Sequence, residues 1–209
     1  MRGISVTAAE AGQRSADEDK SNFRQRLLDA LEASIAEDGY PRTTVADIVR
    51  RARTSRRTFY EHFESREACF VALLSDTNAA QVRQISAGVD PHTPWRTQVR
   101  QAVEAWISSG ESRSPLMLSW IRDVPSLGAA ARGLQRDAME NFIEMVQALG
   151  DNAEFRTAGV GPFSRQRIIM LLGGLQELAA ITVEEGGRMS DITEEAVDAS
   201  IALLGAGHD

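Results

Sequence analysis

The chain has 209 residues, a formal net charge of -7 and a single cysteine, Cys69. That length can bury a sizeable core, and a composition 43% hydrophobic and 25% charged is ordinary for a globular protein. One cysteine excludes an internal disulfide and a cysteine-rich zinc framework, and no stretch approaches the roughly 20 apolar residues of a membrane span. The first twenty residues lack the apolar core of a secretory signal, so a cytoplasmic protein with no membrane partner is expected.

Residues 1–20 are rich in Ala, Ser, Gly, Asp and Glu without sustained periodicity, which reads as a disordered tail. Order is expected from Ser21, a plausible N-cap. Phe23, Leu27, Leu28, Leu31 and Ile35 then recur at helical spacing until Asp38-Gly39. Tyr40-Pro41 predicts an extended exit. Thr43 or Thr44 caps a short helix with Val45, Ile48, Val49 and Ala52 on one face. A break at Arg53-Thr54 follows, and Ser55 caps a second short helix holding Phe59 and Phe63. A long helix opens at Ser65 with Phe70, Leu73, Leu74 and Ile85.

After a turn over 88–94, Trp95, Val99, Val103, Trp106 and Ile107 mark the next helix. Another starts at Ser114-Pro115 and is broken by Val124-Pro125. A helix over 134–149, a loop over 150–162, an apolar helix over 164–185 and a last helix over 193–204 complete the chain. Nothing alternates convincingly with period two. The fold class is therefore all-α, with about nine or ten helices.

Charge is unevenly placed. Residues 42–66 hold seven arginines against three acids, a net of +4; residues 67–209 hold 11 arginines against 19 acids, a net of -8. Two short helices joined by a tight turn after a longer helix form a compact tri-helical unit. Packing explains Leu27, Leu31, Val45, Ile48, Val49, Phe59 and Phe63. It does not explain the opposite face of the second short helix, where Ser55, Arg56, Arg57, Thr58, Tyr60 and His62 crowd into two turns. Arginine pairs with guanine or phosphate, and hydroxyls bond phosphates and base edges, so this set suits DNA.

The run TVADIVRRARTSRRTFYEHF over 44–63, followed by ESREACF, resembles the DNA-binding segment of the tetracycline-repressor (TetR) family of bacterial transcriptional regulators. The likeness covers about 23–74, and beyond it only length and helical layout match. It implies a helix-turn-helix DNA-binding domain over 21–66 and an effector-binding and dimerisation domain over 67–209. It also implies DNA contacts for Thr43, Thr44, Thr54, Ser55, Arg56, Arg57, Thr58, Tyr60, His62 and Arg66. Two positions depart from the pattern: Arg53 stands where glycine is common, and Thr54 where an apolar residue is common. Arg53 must either avoid a left-handed backbone or tolerate strain there.

The resemblance further implies a homodimer, with Ile168, Leu171, Leu172, Leu175, Leu178, Val197, Ile201 and Leu204 on its last two helices as interface candidates. It implies a small, largely apolar effector among the middle helices, for which Trp95, Trp106, Met117, Trp120, Phe142 and Met145 are the large side chains available. Plain core is the competing reading for each of these. The expected function is a repressor released from a palindromic double-stranded DNA operator by the effector; the alternative is a helical protein-interaction module that has lost DNA binding. An enzyme is not expected. The three histidines form no His-x-x-x-His pair, and G-x-S-x-G and phosphate-loop motifs are missing. No metal or cofactor is expected.

Overall fold

The computed structural model describes residues 8–205, with side chains from Lys20 onward. Among the described residues there are ten α-helices and no strand. The chain divides into two units, Met1–Leu73 and Leu74–Asp209. Of the tail read over 1–20, residues 1–7 lie outside the described residues. From Ala8 the backbone is already α1, Ala8–Asp38, so helix begins well ahead of Ser21.

In the first unit α1 ends at Gly39, whose φ of 78° suits a residue without a Cβ. Tyr40–Arg42 then forms a 3-10 turn, where an extended exit was expected. Two contacts hold that turn: Thr43 N–H donates to Tyr40 O at 3.1 Å, and Tyr40 stacks on Phe70 with centroids 3.9 Å apart. Helices α2 (Val45–Arg51) and α3 (Arg56–His62) follow. The long α4 (Arg66–Gly88) begins in this unit, because Phe70 is fully buried here. Leu27, Leu31, Ile48 and Phe59 are wholly buried at its centre. Each such side chain contributes about 1.5–3 kcal/mol by leaving water. Val45, expected in this core, is only half-buried. Cys69 is buried too, and burial pushes its thiol up to about 12, which keeps it protonated and inert.

The second unit holds α5 (Trp95–Ser112), α6 (Ser114–Arg122), α7 (Ala129–Gly150), α8 (Ala153–Thr157), α9 (Arg165–Glu184) and α10 (Thr193–Gly205). Helix α7 starts five residues before the expected 134, through Ala129 to Ala131, where small residues carry no amphipathic signal. Helix α8 lies inside the segment read as loop. Asn152 caps it, its Oδ1 accepting from Glu154 N–H at 3.0 Å and Phe155 N–H at 3.2 Å, while Phe155 buries its ring. Surface pairs join the helices: Arg100 meets Glu194 bidentately at 2.8 and 2.9 Å, and Arg165 meets Glu140 at 2.7 and 2.6 Å.

Helix α9 corrects the interface reading. Ile168 and Val197 are completely buried, and Leu171 and Leu204 are 7% and 6% exposed, so these four belong to the unit's own core. Leu172, Leu175, Leu178 and Ile201 are half-buried. The exposed apolar side chains of α9 are Ile169, Met170 and Ile181. Gly173 and Gly174 are also exposed, with open space over both. A helix apolar on two faces offers period 3.6 to both, and periodicity alone does not say which face turns inward.

Candidate nucleic-acid interface and internal cavities

Local chemistry sets α2 and α3 before any tertiary contact does. Thr44 and Asp47 form a reciprocal capping box at the start of α2. Asp47 N–H donates to Thr44 Oγ1 at 3.3 Å, and Thr44 N–H donates to Asp47 Oδ2 at 3.0 Å. The Thr44 hydroxyl, donating to Asp47 Oδ2 at 2.6 Å, and then the Thr44 N–H hold the Asp47 carboxyl below its ordinary range. At the other end, Thr54 N–H reaches back to Val49 O at 3.0 Å and Arg53 N–H to Arg50 O at 3.2 Å. That is a Schellman turn, with Arg53 at its left-handed position, φ 51°. Arg53 thus accepts the strain that glycine avoids, at a cost of about 1–2 kcal/mol. Arg26 of α1 helps hold the turn, donating to the carbonyls of Ala52 and Arg53.

Ser55 then caps α3, its Oγ accepting from Thr58 N–H at 3.1 Å. Phe59 points into the core and fixes which side of α3 faces solvent. Ser55, Arg56, Arg57 and Tyr60 are exposed together, Tyr60 at 57%. Thr58 is half-buried, with its hydroxyl 3.0 Å from that of Ser55, and Thr54 is half-buried in the turn. The Arg57 side chain is 90% exposed and pairs with Glu61 at 3.0 Å. Arg53 and Arg56 make no ion pair among the described residues. The result is a seven-residue helix presenting guanidinium groups, hydroxyls and a phenol outward, with no acid on its first turn. His62 is half-buried at its end; burial lowers its pKa first, then the charges of Lys20 and Arg24, against Glu61. It is neutral at pH 7.

Two of the sequence candidates are drawn away from this face. Thr43 is 1% exposed and donates its Oγ1 to Gly39 O at 3.0 Å, so its side chain shapes the turn. Arg66 lies over the Tyr40 ring, 4.3 Å from its centroid. It donates Nη1 to Thr43 O at 2.8 Å and pairs with Glu67 at 3.2 Å. It pins the turn before α2, a role visible only once residues 26 positions apart are in contact. Thr44 stays exposed while capping α2.

Two partly open cavities of the second unit take in most of the aromatic candidates. One, of about 80 Å³, is walled by α5, α7, α9 and α10 and includes Trp106, Phe142 and Met145. The other, of about 110 Å³, is walled by α4, α5, α6 and α7 and includes Trp106, Met117, Trp120 and Phe142. Five of the six large side chains singled out in the sequence therefore line a cavity. Trp95 lines neither. It packs 5.9 Å from Phe155 and so close to Gly205 that a Cβ there would stand 2.9 Å from its ring. Sequence reasoning missed the polar lining, Asn78, Gln81 and Gln176, whose helical positions look like ordinary surface. Asn141 Nδ2 donates to Asn78 Oδ1 at 2.8 Å, and Arg122 forms a surface pair with Glu184 at 3.4 Å.

A short, capped, arginine-bearing helix behind a Schellman turn, joined to a separate helical body, defines a helix-turn-helix DNA-binding regulator. Residues 27–73, within the N-terminal unit, match the model of the bacterial regulatory proteins of the tetR family. No curated protein sequence matches the chain significantly. Among solved structures, the fatty acid degradation regulator FadR from Bacillus halodurans is similar. It shares 16% identity and a TM-score of 0.72, over 88% of this chain and 99% of that one. E. coli NemR in its reduced form shares 18% identity and a TM-score of 0.68, over 87% and 97%. FadR from Bacillus subtilis, in complex with stearoyl-CoA, shares 13% identity and a TM-score of 0.64, over 88% and 99%. At these identities the likeness is one of fold.

Proposed function

We propose that the protein is a homodimeric repressor that grips a palindromic operator with paired α3 helices and releases it when a small, largely apolar molecule enters the second unit. The observation that carries this reading is the exposed Ser55, Arg56, Arg57 and Tyr60 face, held outward by a buried Phe59. A dimer must place two such helices about 34–36 Å apart to meet successive major grooves. The DNA contacts we assign are Thr44, Thr54, Ser55, Arg56, Arg57, Thr58, Tyr60 and His62, with Arg53 as an addition particular to this chain.

The dimer contact we assign to the outer face of α9, through Ile169, Met170, Gly173, Gly174 and Ile181. Contrary to the expectation that no stretch approaches a membrane span, helix α9 is long and apolar enough, by length and composition, to cross one. Its buried Ile168, Leu171 and Ala179 and the Arg165–Glu140 pair favour a helix lying between its own core and a second copy. A cytoplasmic regulator, not an enzyme, is the role consistent with the tetR-family unit. Of the two functional domains, 21–66 would read DNA and 67–209 would sense and dimerise. Helix α4 carries residues of the DNA-binding unit and also Leu74, Thr77, Asn78, Gln81 and Ile85, which line the cavities. Effector binding that shifts α4 would alter the DNA-binding unit through one uninterrupted helix, with reciprocal coupling between effector and operator.

The test is selection of duplexes from a random library by the purified protein, followed by affinity measurement at several salt concentrations. Arg53, Arg56 and Arg57 from two protomers would neutralise about six phosphates. Affinity would then fall about a thousandfold between 50 and 200 mM salt. Selection of no inverted repeat, or an affinity flat across that range, would refute the reading.

A further inference from the structure

Among the described residues, Arg53 is the one residue other than glycine with a left-handed backbone, φ 51°. Its own side chain does not account for that conformation. Arg50 and Arg51, which close α2, pair with Asp47 at 2.9 Å and with Glu37, and Arg57 pairs with Glu61. Arg53 is exposed and makes no ion pair or side-chain hydrogen bond among the described residues. Glycine would hold the same turn without resistance, whereas the strain that arginine brings costs roughly five- to thirtyfold in the folding equilibrium. No contact of the Arg53 side chain within the first unit offsets that factor.

The turn is also held from a distance. Arg26, half-buried on α1, lies over the Phe23 ring at 5.2 Å from its centroid. Its Nη2 donates to Ala52 O and, at 3.3 Å, to Arg53 O. The end of a helix leaves such carbonyls without intrahelical partners, and a guanidinium satisfies them well. Because Arg26 bonds the carbonyl of residue 53 itself, it holds that residue in the left-handed well that a Cβ resists. Its positive charge also keeps the Arg53 guanidinium off the same carbonyls. The clamp therefore comes from Arg26, and the Arg53 side chain stays available to a partner outside the chain.

Building on the DNA-binding reading above, we propose that Arg53 contacts a backbone phosphate of the duplex, not a base, and that Arg26 is the positioning residue that lets an arginine stand there. The strained backbone is retained because the cation it carries adds a phosphate contact that glycine would forgo. The contact is to phosphate because Arg53 stands in the turn, ahead of the Ser55 cap, whereas base edges are read from the helix that enters the groove. Arg53 thus fixes the register of the protein on the duplex, and α3 reads the sequence.

The full-length protein, Arg53→Gly, Arg26→Met and the double variant test this together. Arg53→Gly should raise the folding equilibrium about threefold in urea denaturation, relief of strain outweighing the looser unfolded chain. On a duplex selected by the unaltered protein, it should weaken binding at least about tenfold and lower the slope of log affinity against log salt by nearly two. The sequence selected should stay the same, because a lost phosphate contact weakens all duplexes alike. Arg26→Met keeps a stem over Phe23 and removes the clamp. Amide exchange at Thr54, whose N–H closes the turn on Val49 O, should then quicken at least about fivefold, and adding Arg53→Gly should reverse most of the increase. Arg26→Met should also weaken duplex binding at least about threefold by itself, but by less than about twofold in the Arg53→Gly background, since it acts through Arg53. Arg53→Gly with unchanged affinity and slope, or with a different selected sequence, would overturn the phosphate contact. Thr54 exchange equally fast in Arg26→Met and the double variant would overturn the positioning role. An unaltered protein that selects no duplex would sink the regulator reading as well, whereas an inverted repeat bound equally by Arg53→Gly would sink this inference alone.

Discussion

Replacing Arg57 with alanine should separate DNA binding from folding more cleanly than any other single change. Its side chain is 90% exposed, and its only ion-pair partner among the described residues, Glu61, is 54% exposed at 3.0 Å. An exposed i,i+4 pair contributes about 0.3–0.5 kcal/mol, and alanine returns a few tenths through its higher helix propensity. The stability change should therefore stay within about 0.5 kcal/mol in urea denaturation. On DNA the accounting differs. A bidentate arginine contact is worth about 1–3 kcal/mol, and a dimer loses two, so affinity should fall at least about thirtyfold. The slope of log affinity against log salt should drop by nearly two, one phosphate per protomer. Fluorescence anisotropy with a duplex selected by the unaltered protein reads both quantities. Unchanged affinity with an unchanged salt slope would mean that α3 does not face DNA. A stability loss above about 1 kcal/mol would mean that Arg57 holds structure that its exposure denies.

Met170→Arg should convert the dimer to a folded monomer by sedimentation, whereas Ile168→Ala should cost about 2–5 kcal/mol of stability through a core cavity; a dimeric Met170→Arg protein would move the interface off α9. Ser55→Ala should cost about 1 kcal/mol by removing the α3 cap, read as a lower urea midpoint; an unchanged midpoint would show that Phe59 packing alone sets the helix. His62, half-buried, has a folded pKa below its unfolded value, so the unfolded chain binds more protons once pH falls below about 6.5. The thermal midpoint should then fall from pH 7 to 5.5 more steeply than in His62→Gln, and equal slopes in the two proteins would contradict this.

Helix α3 was legible because its signals are local. Ser55 and Thr44 cap through bonds three residues away, Phe59 and Phe63 mark the buried side, and Arg56, Arg57 and Tyr60 are what remains outside. The structural parts played by Thr43 and Arg66 were not legible, for the opposite reason. Thr43 is closed off by the 3-10 turn, and Arg66 bonds carbonyls 23 and 26 residues back, contacts with no trace in local spacing. Helix α8 escaped because glycines and a proline flank a cap and a single buried phenylalanine.

By itself, then, the sequence determined the all-α class, the capped helix pair and the arginine-bearing face of α3. Each depends on interactions within about one helical turn, and such interactions are written in residue order. Tertiary structure alone decided that Ile168 and Leu171 turn inward while Ile169 and Met170 stay out. It alone placed Trp106 and Phe142 on a wall shared by two mainly apolar cavities. A helix apolar on two faces satisfies the same periodicity either way, and only the neighbours it packs against choose between them.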